Sequence, residues 1–189
     1  MIRGFVCCAA LAIVASLQTA NAEEGLFVAV GIGGADVDYD GPLFASDDPV
    51  EFDSSSSLLA GEILVGYEFA NDLFVEIGER GYASFNLGLG DQISLSAIRT
   101  GLGYSWSSES RLGIVTKAGL AFWDLRARES FLFNPGPEEQ TRQQGTDLFL
   151  EAGVEFRFTD AFRMGLSWEY VAVDFGGASS VMATFKFVP

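Results

Sequence analysis

At 189 residues the chain is long enough for one domain and too short for two of ordinary size; it is 49 % hydrophobic and 13 % aromatic, yet its formal charge is −15 and it contains no histidine. So acidic a chain argues against nucleic acid as a partner, and the missing histidine removes the commonest general base and metal ligand. Apolar and charged residues are interleaved along most of the chain, and that alternation carries the reading that follows.

Residues 1–22 have the form of a cleaved signal peptide. Arg3 gives a positive start, Phe5 to Leu17 is apolar, and Ala20-Asn21-Ala22 is a small-x-small cleavage site. The apolar run is shorter than the roughly 20 residues of a spanning helix. Cys7 and Cys8 lie inside this segment and leave with it, too early in it for lipoprotein attachment. Removing 22 residues and one arginine leaves a chain of 167 residues with a charge of −16 and no thiol. Such a chain suits an oxidising periplasm and excludes a Cys nucleophile or Cys metal site.

Nothing in residues 23–189 reaches 18 consecutive apolar residues; the pattern there has period two. From Asp147 to Phe158, Leu148, Leu150, Ala152, Val154, Phe156 and Phe158 share one face. Asp147, Phe149, Glu151, Gly153, Glu155 and Arg157 share the other. The same reading predicts eight strands: Leu26–Asp38, Ser57–Phe69, Leu73–Ala83, Gln92–Trp106, Arg111–Leu125, Asp147–Phe158, Phe162–Val173 and Ser179–Val188. Ala70-Asn71-Asp72, Ser107 to Ser110 and Thr159-Asp160-Ala161 read as tight turns. Tyr39 to Ser56, Ser84 to Asp91 and Arg126 to Thr146 read as loops, and Asp174 to Ala178 as a brief connection. Short turns opposite longer loops are the layout of an outer-membrane barrel.

One face of each strand is greasy: Ile63, Val65, Tyr67 and Phe69; Leu112, Ile114 and Leu120; Phe162, Met164, Leu166, Trp168 and Tyr170; Val181, Ala183, Phe185 and Phe187. The other carries Glu62, Glu68, Glu76, Glu151, Glu155 and Glu169 with Arg80, Arg99, Lys117, Arg157, Arg163 and Lys186, six acids against six bases. A soluble barrel would put the aromatics inside, where eight strands leave little room. Turned outward, the greasy face meets lipid and the charges pair in the lumen. Gly66, Gly78, Gly101, Gly103, Gly119, Gly153 and Gly165 fall on the inner face and make space for long side chains. Tyr67, Phe69, Phe74, Tyr104, Trp106, Phe156, Phe158, Phe162, Phe185 and Phe187 cluster beside the short turns, as an interfacial girdle requires. The expected fold is an all-β, eight-stranded antiparallel up-and-down transmembrane β-barrel in the cell outer membrane.

Gly66-Tyr67-Glu68-Phe69 before Asn71-Asp72, Gly101-Leu102-Gly103-Tyr104, Glu155-Phe156-Arg157-Phe158 before Thr159-Asp160, and the closing Phe185-Lys186-Phe187 resemble the small outer-membrane barrel superfamily. That superfamily includes the outer-membrane protein A transmembrane domain and the opacity proteins. The resemblance spans residues 23–189 and implies an architecture more than an activity. It implies outer-membrane lipid, lipopolysaccharide and the outer-membrane assembly machinery as partners. The family's assembly signal usually ends in a terminal Phe, whereas Val188 and Pro189 follow Phe187 here. No peptidoglycan-binding domain is expected after the eighth strand.

Three further patterns bear on binding chemistry. Asp36-Val37-Asp38-Tyr39-Asp40-Gly41, with Leu43 and Asp47, matches the start of a calcium loop, but the bidentate Glu and flanking helices are missing; acids alternating on a strand give the same pattern. Asp47, Asp48, Glu51 and Asp53 are ordinary solvated loop charges or a divalent-bridged contact to lipid A phosphates. Gly31-Ile32-Gly33-Gly34 lacks the Lys and helix of a phosphate loop and reads as strand glycine. Lipid A-modifying enzymes of this barrel size use, by resemblance, a catalytic His that this chain lacks, so no enzyme is expected. No catalytic, cofactor-binding or metal residue is assigned, and no cofactor.

The expected role is structural or surface-interacting, with a lumen plugged by paired charges. Glu62, Glu155, Arg99, Lys117 and Arg157 are its foremost pairing residues. A narrow porin-like channel and an opacity-like adhesin acting through Arg126 to Thr146 are the alternatives, with any surface ligand left open.

Overall fold

A computed structural model describes residues 25–39, 58–83, 92–106, 111–128, 140–172 and 176–189. Residues 1–24, 40–57, 84–91, 107–110, 129–139 and 173–175 lie outside the described residues, and with them the expected signal peptide, the expected turn at Ser107 to Ser110 and much of the expected long loops. Eight antiparallel strands run in chain order: β1 (Gly25–Tyr39), β2 (Leu58–Glu68), β3 (Leu73–Ala83), β4 (Gln92–Ser105), β5 (Leu112–Arg128), β6 (Gln140–Arg157), β7 (Phe162–Val171) and β8 (Gly176–Phe187). Each pairs with the next, and β1 pairs with β8 to close the barrel. Closure leaves no edge within hydrocarbon, which lipid requires because it cannot satisfy backbone polar groups.

Alternation decides which way each strand faces. On β7, Phe162, Met164, Leu166, Trp168 and Tyr170 point outward while Arg163, Glu169 and Val171 are buried. The same parity exposes Leu148, Leu150, Ile98, Leu102, Ile114 and Val181 and buries Arg80, Arg99 and Glu151. The outside is oil-facing and the inside ionic. Short turns close one end. At Ala70-Asn71-Asp72 the Phe69 amide donates to the Leu73 carbonyl at 2.8 Å, with Asp72 at φ 63°, a left-handed conformation that Asp tolerates. At Thr159-Asp160-Ala161 the Phe162 amide donates to Thr159 Oγ1 at 3.0 Å.

Aromatic pairs ring this end: Tyr67 with Phe69, Tyr104 with Trp106, Phe156 with Phe158 and Phe162 with Phe187 have centroids 5.1, 4.9, 4.8 and 5.4 Å apart. Phe74 is at the right height for the girdle but turns inward and is buried. Its even position on β3 puts it on the face of Glu76 and Arg80, so parity, not depth, decides its side.

The lumen also holds more aromatic mass than eight strands were expected to admit. Four inward rings each stand opposite a glycine in the register: Phe27 opposite Gly66, Phe74 opposite Gly103, Trp123 opposite Gly145 and Phe149 opposite Gly119. A Cβ at Gly103 would sit 2.1 Å from the Phe74 ring, and one at Gly145 would sit 2.3 Å from Trp123. The missing side chain on one strand provides the room for the ring on its neighbour.

The ladder differs most from the sequence pattern above the greasy belt. β5 continues to Arg128 and β6 begins at Gln140, so much of the segment read as a loop is a paired hairpin, with Arg126 opposite Arg142 and Arg128 opposite Gln140. Once both faces meet water, alternation disappears while hydrogen bonding continues. β1 likewise runs to Tyr39, setting Asp36 opposite Ser179 and Asp38 opposite Gly177. The described part of the calcium-like segment is therefore strand, and Asp40, Gly41, Leu43 and Asp47 lie outside the described residues.

Candidate functional site

Inward parity brings charges from six strands into one buried cluster. Glu62 (β2) and Arg80 (β3) are direct cross-strand partners. Arg80 donates to Glu62 Oε2 from Nε at 3.0 Å and from Nη2 at 2.6 Å, and its Nη1 donates to Ser180 Oγ at 2.8 Å. The same guanidinium reaches Glu169 Oε1 at 2.7 Å and Glu151 Oε2 at 3.3 Å. Arg99 (β4) pairs with Glu169, and lies 3.4 Å from Glu151, 3.5 Å from Glu76 and 3.6 Å from Glu62. Lys117 (β5) lies 3.0 Å from Glu151 and 3.2 Å from Glu76. Arg80 is wholly buried. Charges so far from water persist only when paired and hydrogen-bonded, which this arrangement provides.

Four carboxylates face three cations in this cluster. Hydroxyl donors offset part of the excess: Tyr82 donates to Glu169 Oε1 and Thr184 donates to Glu62 Oε1, both at 3.1 Å. Arg99 also stacks on Phe149, 4.7 Å from the ring centroid.

A second cluster lies nearer the short turns. Arg163 (β7) contacts Glu68 at 2.8 Å and Glu155 at 3.3 Å, and Lys186 (β8) pairs with Glu68 and approaches Glu155 at 3.7 Å. Lys186 also sits over the rings of Phe27 and Phe74, at 4.1 and 5.1 Å.

Apolar layers enclose the first cluster on both sides. Outward of it, Ala35, Val37, Tyr82, Leu95, Trp123, Leu125 and Val171 pack together. Toward the turns, Phe27, Ala29, Leu64, Phe74 and Val188 form the other layer. A cavity of about 50 Å³ lies between the two ionic clusters, lined by Phe74, Glu76, Lys117, Glu155, Ser167 and Lys186 among others. Glu76 Oε1 and Ser167 Oγ are buried with no hydrogen-bond partner among the described residues. The space is large enough for water but far too small for a solute path.

Of the foremost pairing residues read from the sequence, Glu62, Glu155, Arg99 and Lys117 all enter these clusters. Arg157 does not: it shares their parity but stands at the turn-side rim, half-buried, and no described acid reaches it. Arg80, which binds three glutamates, is the hub that the sequence left unranked. Its parity was readable, but its position midway between the apolar layers was not.

Comparison with known proteins decides the family. The pattern described as "Outer membrane protein beta-barrel domain" matches residues 5–187. The chain belongs to that family. As an outer-membrane protein β-barrel it lies in the cell outer membrane, amid its lipid and lipopolysaccharide. No curated protein sequence matches it. Among solved structures it is similar to Neisserial surface protein A, with TM-score 0.66 and 16 % identity over 87 % of this chain and 97 % of that one. It is also similar to Ail of Yersinia pestis, solved in complex with the heparin analogue sucrose octasulfate, with TM-score 0.61 and 18 % identity over 87 % and 99 %. OprG of Pseudomonas aeruginosa gives TM-score 0.53 and 13 % identity over 87 % and 97 %. At such identities these likenesses concern the fold.

Proposed function

We propose that this outer-membrane protein β-barrel is a closed, non-conducting barrel with a structural and surface-presenting role, delivered to the envelope by removal of residues 1–22. The observation that carries this reading is the layered lumen: an ionic cluster in which every carboxylate meets a cation, set between two apolar layers, with a cavity of about 50 Å³ on its turn side. A conducting pore needs a continuous water path, and this order of layers interrupts one twice. Each of the six lumen glutamates already has a cation, and the chain has no histidine, so the reading is also non-enzymatic. Planar-bilayer recording tests it. Silence at moderate voltage is expected, and reproducible unitary steps would establish the narrow porin-like channel instead.

A second reading, an adhesin-like surface binder, is favoured by the β5–β6 hairpin, which carries paired strand as far as Arg128 and Gln140 above the belt. The solved complex of Ail, a protein of similar fold, with the heparin analogue sucrose octasulfate supports this reading. Replacing residues 129–139 with a two-residue turn should abolish attachment to host cells or matrix if the hairpin is the adhesive element; retained attachment dismisses it.

A further inference from the structure

The outer wall of β4–β6 changes character within a few residues. Phe122 and Leu148 are exposed to lipid. Immediately above, the outward positions become Asp124 and Gln144, then Arg126 and Arg142, with Ser96 and Ser94 beside them on β4. Four residues separate Phe122 from Arg126, which at ~3.3 Å per residue on a strand tilted about 45° is ~9 Å along the membrane normal. The headgroup region of one leaflet extends roughly 5–8 Å beyond the hydrocarbon. Measured from Phe122, which itself lies within the greasy belt, this sets the two arginines at the outer part of the headgroup region, facing sideways toward lipid.

Asp124 holds them in place. Arg142 donates to Asp124 Oδ1 from Nε at 3.0 Å and to Oδ2 from Nη2 at 2.7 Å. Arg126 makes the same two contacts at 3.4 and 3.0 Å. Both guanidinium groups use their Nε–Nη2 edge, so Nη1 and the outer Nη2 hydrogen of each remain directed away from the carboxylate. The arginine side chains are 52 % and 56 % exposed while Asp124 is 18 % exposed. The result is a pre-positioned pair of donors with one net positive charge, on a chain whose net charge is −15. Elsewhere on the described outer wall, the outward charged residues Asp36 and Glu79 are acids.

We propose that Arg126 and Arg142, oriented by Asp124 and supported by Ser94 and Gln144, bind a phosphate of an outer-leaflet anionic glycolipid. Two parallel guanidinium forks match the tetrahedral oxygens of a phosphomonoester, and serine and amide donors supply further hydrogen bonds. Lipid is the committed source because the patch lies on the lateral wall, directly above the greasy belt, where a lipid headgroup is always at hand. The site is independent of whether the lumen conducts.

Native mass spectrometry of the folded barrel in detergent with EDTA, titrated with lipid A bearing both phosphates, is the test. The chelator removes any bridging through the acidic loop. We expect wild-type protein to bind bisphosphorylated lipid A at least ten-fold more tightly than dephosphorylated lipid A, and Arg126→Gln/Arg142→Gln to erase that preference. Both arginines are more than half exposed, so the double variant should retain its heat-modifiable gel mobility, which verifies folding. Equal binding by wild type and double variant overturns the site. So does displacement of bound lipid by millimolar inorganic phosphate or by heparin, either of which would mark a general anion patch or a sulfated-glycan site.

Discussion

Arg80 on β3 and Glu169 on β7 stand on opposite walls of the barrel and meet at 2.7 Å in its centre. The same guanidinium holds Glu62 on the neighbouring strand. One side chain therefore ties adjacent and opposite strands together. Because it is buried, the loss of any partner leaves a charge that water cannot reach.

Lys117 tests that logic most simply. Its ammonium lies between Glu76 and Glu151. Lys117→Leu leaves Glu76 with only a 3.5 Å approach to Arg99. We expect a loss of ~3–5 kcal/mol, read as a lower urea midpoint, because breaking a buried pair costs more than replacing it. Lys117→Leu with Glu76→Leu should recover most of the loss. An unmoved midpoint in the single variant would show that the pairing is not what stabilises this layer.

The glycine–aromatic pairing makes a sharper steric prediction. A Cβ at Gly119 would fall 2.1 Å from the Thr100 carbonyl oxygen and 2.7 Å from the Phe149 ring. Backbone cannot swing aside as a long side chain can, so Gly119→Ala should cost about 1–3 kcal/mol. Gly81 has nothing within 4 Å of the same position, and Gly81→Ala should leave the urea midpoint within error of wild type.

The three tryptophans report on sidedness. Trp106 and Trp168 are 65 % and 51 % exposed on the outer wall, whereas Trp123 is buried in the lumen and donates from Nε1 to Asp147. In vesicles of brominated phospholipid, single-tryptophan variants retaining Trp106 or Trp168 should be strongly quenched. The variant retaining Trp123 should keep most of its fluorescence; equal quenching of all three would contradict the assigned faces.

Above the hydrocarbon belt, the hydrogen bonds from Arg142, and secondarily from Arg126, hold the Asp124 carboxyl well below the usual carboxylate range. A carboxyl whose folded value lies below its unfolded value, about 3.9, stabilises the fold fully above that unfolded value. The contribution fades only as pH falls through the lower folded value. Wild type should therefore keep its thermal advantage over Asp124→Asn from pH 7 to pH 4 and lose it only in stronger acid. The advantage should be small, since the arginines are exposed and salt-screened. A gap that closes near pH 5 would show that the carboxyl is not held low.

How much of this could be read beforehand follows from where alternation is imposed. β3 was placed as Leu73–Ala83 and is found there, because lipid outside and charge inside act along its whole length and Asp72 marks its start. β6 was begun at Asp147 although the strand starts at Gln140, because Arg142, Gln143 and Gln144 are polar whichever way they point. Parity sorted lumen charge from lipid-facing residue correctly throughout, yet it could not rank Arg80 above Arg157. The difference between them is depth along the barrel axis, which needs the register. Phe74 shows the reverse error: its depth was right, and an aromatic near a short turn outweighed its even position on the strand. The outward arginines were hidden inside a segment read as a loop, where sidedness has no meaning.

The hub at Arg80 is complete only in the closed barrel. Its acids lie on β2, β6 and β7, and its hydroxyl partner Ser180 on β8, so a sheet holding only the first strands exposes a guanidinium with three of these four neighbours missing. Such a half-made sheet must stay wet on its inner surface, and drying becomes favourable only when the last two strands swing into place. The ionic layer thereby couples the β1–β8 seam to a dry interior, because an open sheet leaves the guanidinium short of partners.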